Sequence, residues 1–347
     1  MIKDYLKIRS PQELLKLAQG AYNYFCEPTH VLGGPIYVQI EPTTFCNLSC
    51  IMCSHSHHSD LRKKNLSREE FDTLFDKLYP GIKKISFVGI GEPLLNKDLS
   101  YFIEKSSKFK IHTHTTTNGL LIDENNLRAL KEAGLKNLNI SIDAPEKELY
   151  ETIRRGGNFQ RLCDNLLLLQ KTNIQNRCEV VVWFVGTVEN ISFFPDMVGF
   201  VKKFGIKKVV MQVEQSWGQE YWKAIHAQNE RSKLADFSLI HKKLEEAKER
   251  GKHCGVQVHY VNIPDKSSKR ACKWPWKGFY ISVDGLVTPC CIHGTDPRTL
   301  HFGNLLVEEL EDILNNIKYK NFRKGLRLEV PPRFCQDCTS YYHPLQL

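Results

Sequence analysis

The sequence predicts an α/β protein: a partial (β/α)6 TIM-type barrel followed by a small C-terminal domain built from a β-hairpin and a helix. Three observations lead there. Short β-branched runs alternate with longer helical patterns between about residues 35 and 255. Cysteines gather in two groups, one towards each end of the chain. A length of 347 residues, 41% hydrophobic and 25% charged, suits one large core with a smaller companion. The expected divisions are 1–34, a helix and linker; 35–255, the barrel; and 256–347, the small domain.

The first 34 residues read as one amphipathic helix and a Gly-Gly-Pro linker. The stretch MIKDYLKIRSPQELLKLAQG is too charged and too helical in pattern for a signal peptide. No apolar run approaches the roughly 20 residues that span a bilayer, so no membrane span and a cytoplasmic location are expected. Six strands follow: IYVQI from Ile36, KISFVG from Lys84, IHTHTTT from Ile111, NLNISI from Asn137, VVVWFV from Val180 and VVMQV from Val209. Between them lie helices such as SREEFDTLFDKLY and ENNLRALKEAGL, with Ser67 and Asp123 at N-cap positions. Repeated parallel crossovers bury a sheet on both faces, and chemistry in such barrels sits in loops after the strands' C-terminal ends.

A formal charge of +9 would suit an anionic or nucleic-acid partner. The lysines, however, are spread through amphipathic helices such as SLIHKKLEEAKERGK, where they form a solvated face. No nucleic acid is expected. Twelve cysteines in a cytosolic chain point to metal before disulfides. Cys26, Cys163, Cys178 and Cys254 stand alone and read as buried small hydrophobes.

The first group is CNLSCIMC, with Cys46, Cys50 and Cys53 spaced C-x3-C-x2-C in the loop after the first strand. Structural zinc closes with four ligands, whereas three cysteines around a four-iron cluster leave one iron open. Two other readings stand beside this one: a zinc site completed by His55, His57 or His58, and reduced structural cysteines. Further motifs follow at later strand ends. GIGEP holds Gly89, Gly91, Glu92 and Pro93; TTNG holds Thr116, Thr117 and Asn118; SIDAP holds Ser141 and Asp143; and YETIRRGGNF holds Arg154 and Arg155.

In this order the motifs resemble those of the radical SAM superfamily over about residues 35 to 215. The resemblance implies a [4Fe–4S] cluster on Cys46, Cys50 and Cys53, with S-adenosylmethionine chelated at its open iron. It also implies that Gly89, Gly91, Glu92 and Pro93 meet the amino group of S-adenosylmethionine, although Ile90 between the glycines departs from the usual Gly-Gly-Glu-Pro. Thr116, Asn118, Ser141 and Asp143 take places from which the family supplies ribose and carboxylate contacts. Arg154 aligns with its carboxylate-binding arginine, for which a guanidinium fork is suited. Met52 in the cluster loop and Gln212 after the sixth strand complete the implied cofactor-binding set.

The second group runs CKWPWKGFYISVDGLVTPCC from Cys272, then PRFCQDC to Cys338. FYISV and LVTP flank an Asp284-Gly285 turn, a hairpin signal, and an amphipathic helix follows. So small a core calls for a metal. The segment resembles the SPASM extension of radical SAM enzymes in its single-cluster, twitch form. The resemblance implies a second [4Fe–4S] cluster closed by Cys272, Cys290, Cys335 and Cys338, suited to electron transfer, with Cys291 as an additional thiol. A zinc ribbon is the alternative for these four residues.

The implied activity is reductive cleavage of S-adenosylmethionine, fed by a flavodoxin or ferredoxin-type reductant, with hydrogen abstracted from a substrate. A small polar substrate of the sugar or aminocyclitol class, oxidised with the auxiliary cluster as electron acceptor, is the leading expectation. The first 34 residues are short for the recognition domain that peptide-modifying relatives carry in front. The alternatives are an epimerase in which Cys291 returns hydrogen, a peptide-modifying enzyme, and a non-catalytic metal-binding module. Trp217, Trp222, Trp274, Trp276 and Tyr280 read as core aromatics or pocket walls.

Overall fold

The structure is a computed structural model that describes residues 10–57, 62–214, 237–261, 272–294, 296, 298, 300–330, 332, 335 and 338. His58, Trp217 and Trp222 lie outside the described residues. In chain order the strands are β1 Tyr37–Ile40, β2 Lys84–Phe87, β3 His112–Thr117, β4 Asn137–Ser141, β5 Glu179–Gly186, β6 Lys208–Val213, β7 Gln257–Val261, β8 Gly278–Ile281 and β9 Val287–Thr288. The first six fall where the β-branched runs predict them. The α/β fold with a largely parallel sheet is thereby established.

The chain divides into two compact units. The first comprises Met1–Phe45, Arg62–Thr113 and Lys273–Gln336. Its strands run in the order β2–β1–β8–β9, with β1 parallel to both β2 and β8. β8 and β9 form the expected antiparallel hairpin, and Gly285 in its turn has φ of 83°, a left-handed conformation that glycine adopts without steric cost. Phe71, Phe75, Phe87 and Phe102 pack as tilted rings into a fully buried aromatic core. Ser67 opens the helix Arg68–Leu78 with a complete capping box to Glu70. The C-terminal helical stretch breaks at Asn316, which caps Ile317–Arg327 through a 2.9 Å bond from Tyr319 N. Arg323 on that helix is fully buried and donates to the carbonyls of Thr29, Leu314 and Pro275.

The second unit comprises Cys46–Leu61, His114–Cys272 and Asp337–Leu347. Its strands run β3–β4–β5–β6–β7, all parallel. The helices Glu124–Ala133, Phe159–Lys171, Phe194–Lys203 and Phe237–Cys254 provide the crossovers. Asp123 caps the first of them, accepting from Asn126 N at 2.7 Å. β7 has no counterpart among the expected strands. It pairs in parallel with β6, from Lys208 opposite Gln257 to Gln212 opposite Val261, so the sheet continues past the 255/256 boundary.

The isolated cysteines depart from expectation. Only Cys178 is buried; Cys163 and Cys254 are half-buried and Cys26 is exposed. Cys26 is the last residue of the helix Pro11–Cys26. Trp274, Trp276 and Tyr280 are core residues, each under a tenth exposed.

Candidate functional site

The cysteine loop belongs to the second unit and is pinned by its backbone. Ser49 N donates to Arg155 O at 2.9 Å, Ile51 N to Ile153 O at 3.0 Å, and Cys53 N to Cys50 O at 3.1 Å. Cys46 and Cys53 each lie within electrostatic reach of Cys50. Burial pushes the Cys50 thiol up to about 12; Arg154 pulls it down, and Cys53, Asp143 and Cys46 push it further up. The Cys53 thiol is likewise raised by its burial and lowered by Arg154. Such thiols hold their protons until iron displaces them. Met52, between two of the ligands, is buried. Among the described residues no three His, Cys, Asp or Glu side chains are poised on one metal ion. The thiols of a cubane each take a different iron, and so stand apart as single-ion ligands do not.

Behind the loop, Asp143 beyond the end of β4 meets Arg154, which ends the helix Lys147–Ile153, with Nη2 and Oδ2 2.6 Å apart. Asp143 also accepts from Val185 N at 2.8 Å, which fixes its carboxylate. Burial raises the Asp143 pKa, partly offset by Arg154 and Val185. Burial acts against the Arg154 charge, but Asp143, Cys50 and Tyr150 outweigh it, so Arg154 stays cationic. Three buried polar atoms here make no hydrogen bond: Asp143 Oδ2, whose contact with Arg154 is an ion pair, Arg154 Nε, and the hydroxyl of Tyr150, whose pKa burial pushes up to about 12. A cation with an unused donor beside a cluster loop fits a carboxylate-bearing cofactor. The sequence reading passed over Tyr150, which resembles any helical core aromatic; its place four residues before Arg154 was the available signal.

The remaining expected contacts of this unit are placed as follows. Asn118 Nδ2 donates to Asn47 Oδ1 at 2.8 Å, tying the TTNG segment to the cysteine loop. Thr116 accepts from Asn139 Nδ2 at 3.3 Å. Ser141 is half-buried at the end of β4, and Gln212 half-buried on β6 opposite Val185.

The Gly-Ile-Gly-Glu-Pro segment belongs to the first unit, and its glycines are tightly packed. A Cβ on Gly91 would collide with the carbonyl of Thr43 and lie 2.6 Å from that of Phe45, and a Cβ on Gly89 would meet the side chain of Glu41. Protein packing itself therefore requires both glycines. Glu92 is also engaged: its N donates to Phe45 O at 2.7 Å and Oε1 accepts from Leu94 N at 3.2 Å, capping the turn Pro93–Leu95. Glu41, absent from the sequence reading, is 2% exposed and accepts from Ile90 N at 3.1 Å and Val283 N at 3.0 Å. Its burial, opposed by those two bonds, pushes its pKa up to about 7.

Of the cysteines expected to hold an auxiliary cluster, Cys290 and Cys335 belong to the first unit and Cys272 and Cys338 to the second. Cys335 Sγ lies 3.7 Å from His293 Nε2, a buried ring whose pKa burial lowers to about 4. Cys291 starts the short helix Cys291–Gly294, within electrostatic reach of the buried phenols of Tyr37 and Tyr280.

Comparison with known proteins adds to this geometry. The model of the radical SAM superfamily matches residues 40–201, and that of SPASM, an iron–sulfur cluster-binding domain, matches residues 272–339. A probable GTP 3′,8-cyclase from Methanocaldococcus jannaschii is 27% identical over 260 residues, covering 74% of this chain and 84% of the relative. Among solved structures, Streptococcus suis SuiB bound to the precursor peptide SuiA aligns with TM-score 0.69 at 16% identity, covering 96% of this chain and 76% of SuiB. BtrN in complex with AdoMet and 2-DOIA aligns with TM-score 0.50 at 16% identity, covering 88% of this chain and 93% of BtrN.

Proposed function

The chain belongs to the radical SAM superfamily and carries a C-terminal SPASM iron–sulfur domain, and on that premise we propose that it is an oxidoreductase of small polar molecules of the sugar or aminocyclitol class. The reduced cluster and S-adenosylmethionine together supply a 5′-deoxyadenosyl radical that abstracts hydrogen from an unactivated carbon. This chain's residues hold and orient the reactants. Cys46, Cys50 and Cys53 are the cluster ligands, and the cationic Arg154 beside Cys50 and Cys53 takes the carboxylate of S-adenosylmethionine through its unused Nε. Asp143 holds the guanidinium in place. The backbone of Gly89 to Pro93 would receive the amino group, and Cys272, Cys290, Cys335 and Cys338 would hold the auxiliary cluster, which would supply an acceptor for the second electron. A flavodoxin or ferredoxin-type protein is the reductant.

The observation that carries the reading is the buried Arg154 with an unsatisfied donor next to the C-x3-C-x2-C loop. Two names support a small-molecule substrate: that of one relative gives GTP, and BtrN was solved with 2-DOIA. Cys291 lies beside two core phenols, which favours packing over hydrogen donation and hence oxidation over epimerisation. Peptide modification is the second reading, supported by the likeness to SuiB in its peptide-bound form.

The test is anaerobic turnover in deuterated water with dithionite, S-adenosylmethionine and panels of aminocyclitols, sugars and short peptides. Release of 5′-deoxyadenosine with a small-molecule product two hydrogens lighter, free of carbon-bound deuterium, is the expected result. A product of unchanged hydrogen count carrying one carbon-bound deuterium, lost in Cys291→Ala, would establish epimerisation instead. Turnover of peptides alone would move the assignment to the second reading.

A further inference from the structure

Glu41 is a buried acid that the cluster chemistry leaves without a role. It stands one residue beyond β1, and its own N donates to Ile281 O at the end of β8 at 2.9 Å. Its two carboxylate oxygens diverge to different segments. Oε1 accepts from Ile90 N, within the Gly-Ile-Gly-Glu-Pro segment, at 3.1 Å; Oε2 accepts from Val283 N, in the turn of the SPASM hairpin, at 3.0 Å. Gly89 packs directly on the same side chain, so close that a Cβ there would lie 2.6 Å from Oε1. The Tyr280 phenol is buried within electrostatic reach of the carboxylate. Beyond the turn, β9 leads two residues on to Cys290, whose carbonyl accepts from Thr288 Oγ1 at 3.0 Å.

We propose that Glu41 is a positioning residue that clamps the Gly89–Pro93 segment and the hairpin leading to Cys290 to one another, so that S-adenosylmethionine binding at the first is felt at the second. The inference rests on the reading that Gly89–Pro93 receives the amino group of S-adenosylmethionine. A carboxylate suits the task chemically, because it offers two acceptor oxygens to two backbone N–H donors arriving from opposite sides. Glutamine keeps the shape but has one oxygen, so its NH2 faces one of the two donors and that N–H loses its partner. Aspartate keeps the charge but is one methylene short of spanning the two segments. The clamp lies off the path of the reacting atoms, and its effect is on where those segments sit. SAM binding and the hairpin are thereby linked reciprocally, as any two sites coupled through one element must be.

The experiment is hydrogen–deuterium exchange on the reconstituted full chain, with and without S-adenosylmethionine, for the wild type, Glu41→Gln and Glu41→Asp. Without cofactor, both variants are expected to exchange about tenfold faster at residues 88–94 and 281–287 while the helix Phe159–Lys171 is unchanged. With cofactor, the wild type gains protection in both segments, whereas Glu41→Gln gains it at 88–94 alone. Unchanged exchange at both segments in the variants overturns the clamp, and so does equal protection of 281–287 by S-adenosylmethionine in wild type and Glu41→Gln. Should Glu41→Gln fail to fold, Glu41→Asp carries the same comparison. Failure of the cofactor to protect 88–94 in the wild type overturns the binding reading and with it the coupling, and the cofactor-free comparison then judges the clamp alone.

Discussion

Arg154 Nη2 lies 2.6 Å from Asp143 Oδ2, both side chains are buried, and the same guanidinium is within electrostatic reach of Cys50 and Cys53. Removing either partner leaves an uncompensated charge in a place water does not reach. Asp143→Asn is expected to lose about 3–5 kcal/mol of stability in anaerobic urea unfolding. Pairing it with Arg154→Gln should recover part of that loss, since no lone charge is then buried.

Arg154→Gln alone tests binding. With the charge gone, affinity for S-adenosylmethionine should fall by about 1.5–3 kcal/mol, roughly 10- to 150-fold, while the reconstituted protein keeps the iron content of the wild type. Equilibrium dialysis and iron assay measure the two. Unaltered affinity would place the carboxylate elsewhere.

Gly91→Ala would press a methyl into the carbonyls of Thr43 and Phe45. Neither is the end of a flexible side chain, so the backbone itself must shift, at a cost of about 1–3 kcal/mol. A lower melting temperature, with weaker binding of S-adenosylmethionine and retention of the auxiliary cluster, is the expected pattern.

Iron content tests the two-cluster reading. Anaerobic reconstitution should give about eight irons per chain, and the combined change of Cys46, Cys50 and Cys53 to Ala about four, with no cleavage of S-adenosylmethionine. Colorimetric iron and sulfide assays with absorbance near about 400 nm measure this. Zinc at stoichiometric level with no such absorbance would contradict it.

A pH experiment isolates Glu41. Burial raises its pKa from the ordinary 4.5 to about 7, against the pull of Val283 N and Ile90 N and with Asp284 pushing the same way. The folded chain therefore keeps a proton that the unfolded chain has released between those values. That contribution is fully present below about 4.5 and is lost as pH rises through about 7. The stability difference between wild type and Glu41→Gln should accordingly fall with pH across this window, by up to about 1.4 kcal/mol per unit. Urea unfolding at a series of pH values gives the slope, and other titrating groups cancel in the difference.

How much of this was legible in the sequence depends on the range over which each feature is determined. β1 to β6 could be read because β-branched runs such as VVVWFV are local, and Ser67 and Asp123 because a cap acts within three residues. β7 escaped because QVHYV is largely exposed, with only Val261 fully buried, and offers neither an apolar run nor clean alternation. The cysteine loop was legible through its spacing. Glu41 was not, since its partners Ile90 and Val283 lie 49 and 242 residues away and nothing near it in the chain marks a buried acid. The crowding of the GIGEP glycines was not legible either: what crowds them is the segment just after β1, which only the fold brings alongside.

The pairing of β1 with β8 also has a consequence for biosynthesis. Tyr37 to Ile40 hydrogen-bond on one side to β2 and on the other to Gly278 to Ile281. The second neighbour emerges from the ribosome roughly 240 residues after the first strand, which at 5–20 residues per second is about 12 to 48 s. For that interval β1 carries an open backbone edge and its apolar side chains lack part of their cover. The nascent chain is thus most exposed to mispairing and to capture by chaperones until its last quarter is translated, and truncations that end before Gly278 are expected to aggregate even though the cysteine loop is already complete.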